Sequence, residues 1–182
     1  MFFLQMSGVP GSGKSALTKA ISEVFNVVVV DHDVTKTALL EKTNGNLSNK
    51  IAGQVSYHID WSHIEFQLSQ KHNVIFDSPC LYEEMIEKGM ALAQKYNSTY
   101  KYIECINEDF YSVSDRLQTR NRKISQITRF ESYDKFKETL YRSKRPPHGN
   151  FLIVDSSKPI NTYINDVVNY MNNEQAETKP DL

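Results

Sequence analysis

The sequence predicts an α/β fold of three layers, with a five-stranded, mostly parallel sheet between helices. Three observations carry this. Five short apolar runs rich in β-branched or aromatic residues are spaced far enough apart for helices to lie between them. Several intervening segments repeat apolar residues at i, i+3, i+4. No internal repeat and no Gly/Ser- or Pro-rich linker interrupts the alternation, which is the pattern of a parallel sheet with crossover helices. Right-handed crossovers then place the carboxyl ends of the strands on one edge, where ligands bind.

The elements follow in order. Phe2–Met6 is the first strand; it lacks a basic flank and runs straight into a glycine-rich loop, so it does not read as a signal peptide. Ala16, Leu17, Ala20, Ile21 and Val24 mark the first helix. Val27–Val30 has no polar alternation and is expected to bury both faces in mid-sheet. A short helix Val34–Leu40 is expected next, with Asp33 placed to cap it. Ile51, Val55, Ile59 and Phe66 give the apolar face of a long helix over 48–71. Val74–Phe76 is the third strand, Met85, Ile86, Met90 and Ala93 mark a helix, and Tyr100–Ile106 is the fourth strand. Phe110, Val113 and Leu117 mark another helix, Phe151–Val154 is the last strand, and Ile164, Val167, Val168 and Met171 make a final amphipathic turn set. Residues 1–173 read as a single domain, and 174–182 (EQAETKPDL) as a polar tail that frays.

One motif in this frame is specific. Gly8-Val9-Pro10-Gly11-Ser12-Gly13-Lys14-Ser15 fits G-x-x-x-x-G-K-[ST], follows a predicted strand and opens a predicted helix. Glycines let successive N–H groups point inward at phosphate oxygens. The helix start adds its positive dipole end. Lys14 is placed to reach the β- and γ-phosphates and Ser15 to ligate Mg²⁺, with Ala16 beside them. The chain is therefore read as a nucleotide triphosphate site with Mg²⁺, formed by Gly8 to Ala16. No guanine-reading Asn-Lys-x-Asp and no LSGGQ occurs, which sets aside GTPases and ABC-type ATPases.

Composition narrows the partners. With 21 Lys+Arg against 22 Asp+Glu the net charge is −1, which argues against a bulk polyanion binder. No apolar run approaches a membrane span, and two scattered cysteines, Cys80 and Cys105, make no disulfide framework. A cytoplasmic protein with reduced thiols is expected. The charge is uneven: residues 116–145 hold ten basic and three acidic side chains, +7, leaving −8 elsewhere. Arg116 and Arg120 lie at i, i+4, where like charges repel unless an anion sits between them.

Together these features resemble P-loop kinases of the polynucleotide-kinase and zeta-toxin type (AAA_33-like, in the adenylate-kinase-like group). The resemblance rests on the phosphate loop, the acid pair Asp31-His32-Asp33 after the second strand, Asp77 closing the third, and Arg116 and Arg120 after the fourth. It implies a P-loop NTPase fold with a helical lid over about 116–130. It further implies Asp33, with Lys36 three positions on, as the base that takes the acceptor proton, Asp31 being its rival. Asp77 would hold the Mg²⁺ shell together with Ser15, and Arg116 and Arg120 would clamp the transferring phosphoryl group. The chain has Asp77-Ser78-Pro79-Cys80 where the family often has Asp-x-Thr/Asn. The loop Asp155–Pro159 would border the adenine.

The acceptor is a hydroxyl left unidentified: a small molecule or nucleotide, a polynucleotide 5′-hydroxyl or a zeta-toxin-like sugar. A regulator that binds ATP without transferring it is the other reading. The basic window is accounted for by ATP's own phosphates; it leaves a nucleic-acid partner open without requiring one. The polar and aromatic run Tyr57, His58, Asp60, Trp61, His63 lies where relatives build the acceptor pocket, with Trp61 a candidate stacking surface.

Overall fold

A computed structural model describes residues 1–44, 46–147 and 151–173; the expected polar tail lies outside them. The chain runs β1 (Phe2–Ser7), α1 (Lys14–Val24), β2 (Val28–Asp31), α2 (His32–Lys42), α3 (Asn49–Ser69), β3 (Val74–Asp77), α4 (Glu83–Lys95), β4 (Thr99–Ile106), α5 (Phe110–Thr119), α6 (Tyr133–Tyr141), β5 (Leu152–Asp155) and α7 (Ile164–Asn172). The five apolar runs are the five strands. They pair in the order β2-β3-β1-β4-β5, parallel throughout.

Side-chain alternation along the strands builds a core on each face of the sheet. Phe3, Phe76 and Tyr102 pack with Trp61, Ile64 and Leu68 of α3 and Ile86 and Leu92 of α4. Leu4, Met6, Ile75 and Ile103 pack with Leu17 and Ile21 of α1 and Val167 and Met171 of α7. Helix–sheet–helix layering follows directly. A third cluster of Val9, Val113, Leu117 and Phe136, joined by Phe110 and Phe130, seats α5 and α6 against the phosphate loop. β1 is central, with β3 on one side and β4 on the other. The switch in strand order therefore falls at its carboxyl end, where an open α/β sheet leaves a crevice.

Three sequence expectations are corrected. β2 lies at the sheet's edge and Val29 is 38% exposed. An unalternated Val run reports local apolarity, whereas edge or centre is decided by topology. On α3 the residues taken as the apolar face, Ile51, Val55, Ile59 and Phe66, are exposed by 47, 38, 45 and 58%. The face turned inward is Ala52, Ser56, Asp60, Trp61, Ile64 and Leu68. Small residues there let α3 approach α2 closely, and the polar Asp60 is buried because donors reach it.

The third correction concerns the start of α2. β2 runs straight into this helix at His32, and its cap is Asp31, whose Oδ1 accepts from the N–H groups of Asp33 (2.8 Å) and Val34 (3.3 Å). Asp33 is thereby placed in the first turn and its side chain is released from capping.

Part of the basic window is structural. Lys144 pairs with Glu83 (3.0 Å), and Arg145 Nε with the buried Glu104 (2.5 Å). The Lys144 N–H donates to Cys80 O, and its carbonyl accepts from Tyr102 Oη. These contacts strap the segment after α6 across the sheet. Both cysteines are free and buried, and burial pushes each thiol up to about 12. Among the described residues no helix is long and apolar enough to cross a membrane.

Candidate active site

The phosphate loop joins β1 to α1. Gly8, Gly11 and Gly13 have φ of +133°, +81° and +93°, a region that side chains rarely adopt. Gly8 is also sterically required, since a Cβ there would lie 2.4 Å from the Cys105 carbonyl oxygen. α1 begins at Lys14 with no side-chain cap and no acidic residue in its first turn, so its leading N–H groups are left for an anion. Lys14 is buried and its Nζ donates to the carbonyls of Gly8 (2.7 Å) and Val9 (3.0 Å). Burial holds its pKa below the usual lysine value, with Asp77 pulling the other way.

Pro10, Gly11, Gly13, Lys14, Ser15 and Ala16 line a cavity of about 500 Å³ over the carboxyl edge of the sheet. Gly8, Val9 and Ser12 sit buried behind them. Asp77 closes β3 on the cavity wall, in register with Asp31 on β2. Burial raises its pKa above the usual carboxylate value, opposed by Lys14 and a hydrogen bond with Ser15. A buried carboxylate beside a serine hydroxyl and facing a phosphate cradle is the hard oxygen set that Mg²⁺ takes, with water and phosphate completing its shell.

Arg116 and Arg120 line the same cavity. Arg116 Nη1 lies 3.7 Å from where a Cβ on Gly13 would be, close above the loop. α5 stops at Thr119, so Arg120 is its extended C-cap; the pair shares the cavity although it shares no helical face. Arg120 Nη2 donates to the Ile127 carbonyl (2.9 Å), while its buried Nε has no partner. An enclosed guanidinium N–H without an acceptor fits a missing anion.

The segment expected to form a lid, about 116–130, begins in the last turn of α5 and continues as a non-helical run over 120–132 that ends at α6. This run reaches back over α2. Ser125 Oγ donates to Asp33 Oδ1 (2.9 Å), Gln126 Nε2 donates to Asp33 Oδ2 (2.8 Å), and Thr37 Oγ1 donates to Ser125 Oγ (3.0 Å). Lys123 Nζ pairs with Asp31 Oδ2 at 2.6 Å. Asp33 and Lys36 line the cavity, whereas Asp31 is engaged by its own helix and by Lys123. Ser125 and Gln126 were missed by sequence reasoning, and nothing in a Ser-Gln dipeptide signals a bond to a carboxylate over ninety residues earlier.

On α3 the expected cluster divides. Trp61 is core, edge-on to Phe76 (5.0 Å between rings) and Phe3 (6.2 Å). His58 and His63 are exposed on the outer surface. Only Tyr57 lines the cavity, stacked on His32 with ring centres 3.8 Å apart. Asp60 is 1% exposed and holds His32 Nδ1 at 2.7 Å. The Asp155–Pro159 loop abuts the phosphate loop, with Ser156 Cβ 3.8 Å from the Cβ position of Gly13.

A family model described as an AAA domain (AAA_33) matches residues 4–142, from β1 to the end of α6. The chain belongs to this AAA-domain family. No curated protein matches the sequence. Among solved structures, one provisionally described as a kinase from Chloroflexus aurantiacus J-10-fl superposes with a TM-score of 0.74 at 16% identity, covering 93% of this chain and 97% of the other. A gluconokinase from Sinorhizobium meliloti 1021 gives 0.61 at 15% identity, covering 93 and 91%. A deoxyadenosine kinase from M. mycoides, solved with bound dATP, gives 0.58 at 15% identity, covering 94 and 100%. At these identities the likeness is one of fold: this AAA domain has the fold of the P-loop kinases.

Proposed function

We propose that this chain, a single domain over 1–173 with its lid at about 116–130, is an ATP-dependent phosphotransferase acting on a hydroxyl. The observation that carries the reading is convergence. The phosphate cradle with Lys14, the carboxylate of Asp77, the guanidinium groups of Arg116 and Arg120, and the carboxylate of Asp33 all face one cavity. A nucleotide-binding regulator needs the cradle; it has no use for the Asp33 carboxylate that lines the same cavity.

The roles follow from the chemistry. Loop N–H groups and Lys14 bind the phosphates and fix the γ-phosphorus. Ser15 and Asp77 would hold Mg²⁺, which when bound neutralises phosphate charge. Asp33 accepts the acceptor's hydroxyl proton as the new O–P bond forms and the bond from the γ-phosphorus to the bridging oxygen breaks, with ADP leaving. Arg116 and Arg120 stabilise the charge on the equatorial oxygens in transfer. Both oxygens of Asp33 now accept from Ser125 and Gln126, so the acceptor hydroxyl replaces one of these lid donors when it binds.

Gluconate and deoxyadenosine, named in the neighbours' descriptions, are different acceptors on one fold. A screen with γ-labelled ATP over sugar acids, nucleosides, amino sugars and 5′-hydroxyl oligonucleotides tests the reading. Label transferred to one acceptor class is the expected result. ATP binding without transfer to any acceptor or to water contradicts it.

A further inference from the structure

His32 is adjacent in sequence to Asp33, in the first turn of α2, and both line the cavity. Its imidazole is held by two contacts, one of them braced by a third residue. Asp60 Oδ2 holds Nδ1 at 2.7 Å, Thr35 Oγ1 donates to Asp60 Oδ1 at 2.5 Å, and Tyr57 stacks on the ring at an interplanar angle of 14°. Tyr57 is itself hydrogen-bonded to Ser78 at 3.2 Å. Among the described residues Nε2 has no partner. A buried carboxylate accepts from Nδ1–H, so in the neutral ring the lone pair is on Nε2. A tie between α2 and α3 alone is already made by Thr35 to Asp60; it does not require an imidazole at the cavity wall or an aromatic face locking it.

Resting on the proposed phosphotransfer, we infer that His32 Nε2 is a recognition point for a second hydroxyl of the acceptor, besides the one presented to Asp33. A lone pair there accepts from O–H and disfavours phosphate or carboxylate. The acceptor class is therefore a diol or polyol, as in a carbohydrate or a ribose ring. Asp60 is a positioning residue: it sets the tautomer and plane of His32 and does not touch substrate.

Two measurements on the full chain test this. Long-range ¹H–¹⁵N spectra of ¹⁵N-histidine-labelled protein, assigned with His32→Gln, should show the neutral-ring tautomer of His32 with its proton on Nδ1. A proton on Nε2 overturns the proposal. Transfer of label is then compared between D-gluconate, D-ribose and adenosine and the full set of their counterparts that each lack one hydroxyl. The wild type should prefer a parent diol by about tenfold or more in kcat/KM, mostly through KM, because an unfilled hydrogen-bond position penalises the analogue lacking the hydroxyl. His32→Ala should abolish that preference without changing ATP affinity, and His32→Gln, which retains an acceptor, should restore part of it. Equal use of diol and deoxy compound by the wild type, equal loss on both in His32→Ala, or transfer confined to monohydroxy acceptors overturns the inference and leaves phosphotransfer standing. ATP binding with no transfer to any acceptor or to water overturns both.

Discussion

The two halves of the cavity are built differently. The phosphate half is a single stretch, Gly8 to Ser15, whose backbone fixes the anion site and whose glycines sit at positive φ because no side chain fits there. The half proposed to take the acceptor is assembled from α2, α3 and the 120–132 run, through bonds such as Asp33–Ser125, Asp33–Gln126 and His32–Asp60 that join residues 28 to 93 apart in sequence. A local motif is a property of the chain; a constellation of distant side chains exists only once the sheet has brought α2 beneath the lid. Phosphate binding is expected to survive damage to the acceptor half, and acceptor chemistry to fail when either half is damaged.

The largest effect that separates the halves is at Asp33. Asp33→Asn should reduce transfer by about 10²–10⁴-fold, the span of general-base catalysis, with nucleotide affinity unchanged. Steady-state kinetics beside a binding titration reads both numbers, and transfer at near the wild-type rate removes Asp33 as the base. Arg120→Ala should cost roughly 10–10³-fold in kcat, since it removes charge stabilisation at the transferring group. Arg120→Lys should recover only part of this, and an unchanged kcat would leave Arg120 as a tether for Ile127.

Smaller effects test the lid and the core. Ser125→Ala with Gln126→Ala frees Asp33 and should change kcat by at most about 30-fold, because the two lost bonds contribute about 1 kcal/mol each; a collapse in rate comparable to the upper range for Asp33→Asn would make these donors part of the chemistry. Trp61→Ala should destabilise the fold by about 3–5 kcal/mol in urea unfolding while leaving activity per folded molecule intact. Loss of acceptor affinity in that variant would reinstate Trp61 as a stacking surface. Cys80 and Cys105, with thiols pushed up to about 12, present almost no thiolate at pH 8. Alkylation should accordingly be slow in the native protein and complete on denaturation.

What was legible in the sequence follows the same division. The strands, α1 and the phosphate loop could be read because apolar runs and glycine spacing are local signals. Asp77 was readable as the end of a strand. The inward face of α3 was not: its apolar residues point outward, and a buried Asp60 satisfied by His32 and Thr35 looks polar in any periodicity count. The cap of α2 was displaced from Asp33 to Asp31 because the sequence shows two candidate acids and only backbone geometry chooses between them. The +7 window mixes residues on the cavity, Arg116 and Arg120, with residues that strap the chain to the sheet, Lys144 and Arg145. Charge counting cannot separate the two.

Calorimetric titration of Mg-ATP into Lys14→Ala and Asp33→Asn tests the division most directly. The account predicts that the first variant loses nucleotide binding and the second binds as the wild type does. Equal affinity in the two variants would contradict it.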